Sequence, residues 1–258
     1  MSDFELNEKV AIVTGGAGGI GVHLSAEFAY AGAAVVVTSR QQEPLDEVVA
    51  KITANGGRAL AVTADITVPE QVDELIARTV AEFGRLDIMV NNAGGWGSRR
   101  MPEETAYDEW QRLIDVNLNG TFLCCIAAGK QMIEQASGNI INISSTAGTK
   151  GNPYNLHYSA AKAGVISLSN NLAFMWAKHN INVNCIAPGL IGTQPLKRLG
   201  IIPSDTRDDG TTIPHLELPP RPEGVAQMAR FLASDAARDI TGEVIPVRGW
   251  FKSDRYWQ

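Results

Sequence analysis

The sequence predicts an α/β fold: a single domain built on a doubly wound, seven-stranded parallel sheet with helices on both faces. Short apolar runs rich in β-branched residues alternate with longer stretches of helical period, the pattern of a parallel sheet covered on both sides. Glycine and asparagine breakers fall between these stretches, where helices must end. A chain of 258 residues that is 45% hydrophobic can furnish one substantial core.

The elements follow in order. A strand over Val10 to Val13 leads to a helix over Ile20 to Tyr30, which Gly32 closes. A second strand, Val35 to Val37, leads to a helix over Leu45 to Ala54 and the breaker Asn55-Gly56-Gly57. Ala59 to Val62 and then Pro69 to Phe83, stopped by Gly84, make the third pair. The fourth strand, Ile88 to Val90, precedes one long helical stretch from Thr105 to Gln135, with Ser137-Gly138 as its stop. Ile140 to Ile143, a helix over Tyr158 to Lys178, Val183 to Ile186, a helix over Pro222 to Leu232, and Val244 to Val247 complete the series. Right-handed crossovers then generate the doubly wound sheet. The irregular, proline-rich stretch at about 190–220 reads as a substrate loop or lid, with a disordered surface excursion as the alternative.

A formal net charge of -6 argues against nucleic acid and anionic membranes, both of which reward clustered Lys and Arg. A small molecule is therefore the expected partner. Met1 to Lys9 lacks a signal-peptide pattern, and no apolar stretch approaches the roughly 20 residues that span a bilayer. Cys124, Cys125 and Cys185 form no C-x-x-C pair and suit free thiols in a reducing cytoplasm. His23, His157, His179 and His215 lack metal-ligand spacing, so no metal is expected.

Thr14-Gly15-Gly16-Ala17-Gly18-Gly19-Ile20-Gly21 lies between the first strand and first helix, the context of a Rossmann-type dinucleotide turn. Glycines there let backbone N–H groups approach a pyrophosphate at the positive end of a helix. A glycine-rich turn without a ligand is the competing reading. Tyr158-Ser159-Ala160-Ala161-Lys162 sets a phenol and an ammonium on one helix face. A cation beside a tyrosine favours phenolate and is expected to lower its pKa.

Taken with Asn91-Asn92-Ala93-Gly94, Ser145 thirteen residues before Tyr158, and Pro188-Gly189 after a strand, the series resembles the short-chain dehydrogenase/reductase family from Lys9 to Val247. The resemblance implies an NAD(P)-dependent oxidoreductase. It makes Tyr158 the general acid in carbonyl reduction and the general base in alcohol oxidation. Lys162 would bind the nicotinamide ribose, Ser145 the substrate oxygen, and Asn117 a relay water; a polar residue satisfying a local helix defect is the alternative for Asn117. Ser144 should point to the other side of its strand.

The implied cofactor contacts are Gly15, Gly19, Ile20, Gly21, Ser39, Arg40, Asp65, Ile66, Asn92, Ala93, Gly94, Tyr158, Lys162, Pro188, Gly189 and Thr193, with Ile186 beside the carboxamide. Asp65 competes as a cap or turn acid, and Asn91 as a structural residue of its strand. Ser39 stands where a carboxylate would select NAD(H), and Arg40 follows it, so NADP(H) is expected to be preferred, with NAD(H) possible.

Trp96, Tyr154, Leu190 and Leu196 are the expected substrate contacts, suited to an apolar or cyclic ketone or secondary alcohol. Arg99, Arg100, Lys197 and Arg198 raise the alternative of an enoyl- or dienoyl-CoA-type reductase. A non-catalytic dinucleotide sensor is the alternative of another class, although a sensor has no need of a tuned phenol. The resemblance also implies a homotetramer, with Phe122, Leu168, Leu172 and Phe174 offered to its interfaces. The sequence departs from the family at Val247-Arg248-Gly249-Trp250-Phe251, and its aromatic end is expected to pack on another subunit or beside the substrate opening.

Overall fold

Seven apolar runs become seven strands: β1 (Val10–Thr14), β2 (Ala34–Ser39), β3 (Arg58–Thr63), β4 (Ile88–Asn91), β5 (Gly138–Ile143), β6 (Ile181–Pro188) and β7 (Val244–Val247). The computed structural model describes residues 3–249 apart from 203 and 208. All strand pairs are parallel, in the order β3-β2-β1-β4-β5-β6-β7. The helices are α1 (Ile20–Tyr30), α2 (Gln42–Ala54), α3 (Pro69–Phe83), α4 (Tyr107–Ile114), α5 (Gly120–Gln135), α6 (Thr146–Lys150), α7 (Leu156–Trp176), α8 (Gln194–Arg198) and α9 (Pro222–Ala233).

Side chains of the central strands alternate between two cores, which explains apolar runs such as Val10 to Val13, whereas the edge strands β3 and β7 are only partly buried. Ala11, Val13, Val35 and Val37 face one core with Leu24 and Phe28 of α1 and Val225 of α9. Ile12, Val36 and Met89 face the other, with Leu75 of α3 and Cys124 of α5. Full burial of each large apolar side chain contributes about 1.5–3 kcal/mol. The chain reverses direction across the sheet between β1 and β4, whose carboxyl ends therefore open a crevice.

Helices α6 and α8 were not expected, and among the helix boundaries that differ from expectation two have a clear physical cause. The stretch from Thr105 to Gln135 is not one helix, because a π-helical turn at Asp115–Asn119 separates α4 from α5. The break accommodates the side chain of Asn117, whose amide is committed outside the helix as well as to Leu113. Helix α5 ends through Ala136, left-handed at φ 52°, so the reversal precedes Ser137-Gly138.

The 190–220 stretch carries α8, an isolated antiparallel bridge between Thr206 and Thr212, and a 3-10 turn at His215–Glu217. The Gly192 N–H donates to Pro220 O at 2.8 Å, tying the two ends of the excursion together. Residues 250–258, including the expected aromatic packing, lie outside the described residues.

Candidate active site

The glycine turn is built by close approach. A Cβ at Gly21 would stand 2.0 Å from Gly15 O, while Gly15 and Gly19 take φ of 61° and 51°. At Gly18 and Gly19 added Cβ atoms would meet only open space, so this part of the turn leaves room beside the start of α1. The Asn91-to-Gly94 turn is locked to it: the Asn92 and Ala93 N–H groups each donate to Thr14 Oγ1 at 3.0 Å, and Asn92 Nδ2 donates to Thr14 O at 2.9 Å.

Gly94 brings this turn against the middle of the chain, where a Cβ would lie 2.6 Å from Asn117 Oδ1 and 3.3 Å from Lys162 Nζ. Asn117 is fully buried and holds Gly95 from both sides, donating to its carbonyl at 3.0 Å and accepting its N–H at 3.2 Å. Ser145 caps α6, accepting the Ala147 N–H at 3.1 Å. Its hydroxyl donates to Pro188 O at 3.5 Å and lies near enough to the phenol of Tyr158, on the first turn of α7, to favour the phenolate. Ser144 turns away to donate to Lys162 O at 2.7 Å, as strand alternation predicts.

Tyr158 and Lys162 are both buried, and Lys162 Nζ lies 5.7 Å from the centroid of the phenol ring while donating to Ile143 O at 2.9 Å. Burial pushes the Tyr158 phenol up to about 12, against a lowering by the Ser145 hydroxyl. The lowering expected from Lys162 does not appear: burial sets the direction, and Lys162 is not among the causes of the shift. Burial also pushes Lys162 down to about 8. The Trp96 indole stacks on the Tyr158 ring, centroids 4.9 Å apart and planes 11° from parallel.

These groups share one cavity of about 600 Å³, which runs from Gly15, Gly19 and Ile20 through Asn92, Ala93 and Gly94 to Asn117, Ser145, Tyr158 and Lys162. Residues 9–200 match the family described as short chain dehydrogenase. The chain belongs to the short chain dehydrogenase family. It is accordingly an NAD(P)-dependent oxidoreductase acting on CH–OH and C=O groups. Over 251 residues it is 42% identical to the 3-oxoacyl-(acyl-carrier-protein) reductase of Synechocystis sp., spanning 95% of this chain and 97% of the relative. It is 39% identical over 244 residues to the cis-4-hydroxycyclohexanecarboxylate dehydrogenase of Sinomonas cyclohexanicum, spanning 95% and 96% of the two chains. A solved short-chain type dehydrogenase/reductase from Mycobacterium marinum superposes with a TM-score of 0.85 at 33% identity, covering 96% of this chain and 97% of that one.

In this short chain dehydrogenase, Ser39, Pro188, Gly189, Thr193, Trp96 and Leu196 also line the cavity. Several expected contacts do not. Gly21 sits inside the turn, Ile66 packs into the core and against Gly120, and Ile186 is fully buried beneath the sheet end. Asp65 is spent locally: its carboxylate accepts from Thr67 N–H at 3.0 Å and Thr67 Oγ1 at 2.7 Å, which holds its pKa below the usual value. Arg40 is exposed and off the wall, close enough for its charge to favour ionised Asp65. Tyr154, at φ 67°, is also off the wall, and its ring lies under the Arg99 guanidinium.

Leu190 is likewise off the wall, and Ile191 takes its place. Asn91 bonds Asn142 Oδ1 at 2.8 Å and Cys125 Sγ, so it has the structural role. Gln41, Pro44, Gly95 and Ile143 line the cavity without having been singled out. Gln41 and Pro44 follow the strand end that Ser39 marks, and Gly95 follows the Asn-Asn-Ala-Gly turn; position beside a motif was their only signal.

Proposed function

We propose that the chain interconverts an apolar or cyclic ketone and its secondary alcohol, with Tyr158 moving the proton and NADP(H) preferred as cofactor. The observation that carries this reading is the meeting of Ser145, Tyr158, Lys162 and Asn117 in the same cavity as the glycine turn. That turn suits a dinucleotide: open space at Gly18 and Gly19, backbone N–H groups at the start of α1, and Ser39 and Gln41 at the far wall. When bound, the cofactor supplies or accepts the hydride.

The chain's own residues supply the rest. A phenol pushed up to about 12 keeps its proton near neutrality and is in the donating form for carbonyl reduction. Ser145 donates its one hydroxyl proton to the substrate oxygen, beside the Tyr158 hydroxyl. Lys162, held near 8, carries positive charge at neutral pH and favours negative charge as it develops on the phenol. Asn117 keeps Gly95 and the π turn in place, and these bonds to Gly95 and Leu113 favour the helix-defect role over that of a water ligand. Pro188, Gly189 and Thr193 flank the nicotinamide end, and Trp96, Ile191 and Leu196 give the apolar walls that suit such a substrate. No carboxylate occupies the end of β2 to repel a 2′-phosphate, and the cationic Arg40, although off the wall, follows directly after Ser39.

The exposed Phe122 of α5 and Phe174 of α7 support a homotetramer, whereas Leu168 and Leu172 are taken up by the chain's own core. Sedimentation at micromolar concentration showing only monomer removes that assembly. Three buried free thiols suit a cytoplasmic protein.

Of the four basic residues that raise the alternative of an enoyl-CoA-type reductase, Arg100 is paired with Glu109. A spectrophotometric screen tests the proposal. Cyclic ketones, secondary alcohols, 3-oxoacyl thioesters and enoyl-CoA compounds are offered with both cofactors in both oxidation states. Turnover of ketones or alcohols is expected, and turnover of enoyl-CoA compounds alone refutes it.

A further inference from the structure

The strap from Gly95 to Arg100 crosses the open side of Tyr158, and its anchoring is unusually complete. Glu109, in the first turn of α4, accepts from the Ser98 N–H at 2.9 Å, from the Ser98 hydroxyl, and from Arg100 Nε at 3.2 Å. These donors hold the carboxyl down to about 2, so it stays ionised across the working pH range. Arg100 N–H also donates to Tyr154 O at 3.1 Å, fastening the strap to the segment that enters α7.

The same carboxylate faces the other flank of Tyr158. His157 is 1% exposed; its Nδ1 accepts the Tyr158 N–H at 2.9 Å, which leaves the proton on Nε2. Nε2 is buried without a hydrogen-bond partner, and Glu109 Oε1 stands 3.7 Å from it. Gly97 lets the strap pass: a Cβ there would lie 2.3 Å from His157 Nε2. One anion therefore holds the strap that carries Trp96 and stands beside the imidazole that adjoins Tyr158 in sequence.

We infer that Glu109 is a positioning residue for Tyr158: through Ser98 and Arg100 it seats Trp96 against the phenol ring, and through His157 it steadies the backbone at the start of α7. The inference rests on Tyr158 being the proton donor. Glu109 touches neither substrate nor cofactor, so its influence falls on the orientation of the phenol. A small angular error in a proton donor is costly, because displacement of the order of 1 Å can lower a rate by about 10²-fold.

The test is a double-variant cycle on kcat using Glu109→Ala, Trp96→Ala and both together, with cofactor Kd and Tm measured in each. Glu109→Ala is expected to lower kcat at least ~10-fold with cofactor Kd unchanged. In the Trp96→Ala background its further loss is expected to be smaller than in the parent, because the strap no longer has an indole to seat and only the route through His157 remains. Glu109→Gln keeps one acceptor oxygen and should recover part of the loss. A merely structural role gives additive losses that follow Tm. Additive losses, or parent kcat in folded Glu109→Ala, overturn the inference. If Glu109→Ala does not fold, Ser98→Ala in the same two backgrounds carries the test. Near-parent kcat in Tyr158→Phe overturns the proton-donor reading itself; an inactive Tyr158→Phe beside fully active Glu109 variants overturns this inference alone.

Discussion

Lys162→Met removes a charge from the interior while keeping most of the side chain's apolar volume. The structure gives the size of the effect. Burial takes the ammonium from its ordinary 10.5 to about 8, and at about 1.4 kcal/mol per pH unit the charged form costs the fold about 3 kcal/mol near pH 7. The variant also loses the hydrogen bond to Ile143 O, worth about 1 kcal/mol. It is therefore expected to be more stable than the parent by about 2 kcal/mol near neutrality.

The pH dependence fixes the cause. Between the folded value near 8 and the unfolded value of 10.5 the unfolded parent binds more protons than the folded one, so parent stability rises with pH through this window. The variant's advantage is full below pH 8 and is expected to be largely lost at pH 10. Denaturant unfolding of both proteins at pH 7 and pH 10 measures the difference, in which the other titrating groups cancel. An advantage independent of pH, or a variant less stable at pH 7, refutes the assignment of Lys162 as a buried, desolvated cation.

Gly21→Ala forces a methyl group onto Gly15 O, a backbone atom that cannot move without opening the turn. Overpacking of about 1–3 kcal/mol is expected, with at least ~10-fold weaker dinucleotide binding by titration calorimetry; unchanged affinity contradicts the role of that contact. Arg40→Ala is expected to lower kcat/KM with NADPH at least ~10-fold and to leave NADH little changed. Equal losses with both cofactors remove Arg40 as the selector.

The strands were legible because both faces of the sheet are buried, which leaves uninterrupted apolar runs such as Val10 to Val13. The glycine turn and the Tyr158–Lys162 pair were legible because each is local, its geometry set within eight residues. What escaped depends on contacts between distant parts of the chain. The π turn at Asp115–Asn119 accompanies a side chain committed to Gly95, and the helix end at Ala136 uses a residue with no preference for positive φ. Spacing could bring Lys162 toward Tyr158 but carried no measure of burial, so the direction of the phenol's shift was misjudged. The union of Trp96, Glu109 and His157 joins three separate segments and has no pattern in sequence.

The central claim is that Tyr158 moves the proton. Tyr158→Phe removes the hydroxyl and leaves the ring that stacks on Trp96, so fold and cofactor binding should persist. Steady-state turnover of a ketone substrate, with cofactor Kd measured on the same preparation, tests it most directly. The account predicts a fall in kcat of at least ~10²-fold at unchanged Kd. Near-parent turnover by the folded variant contradicts it.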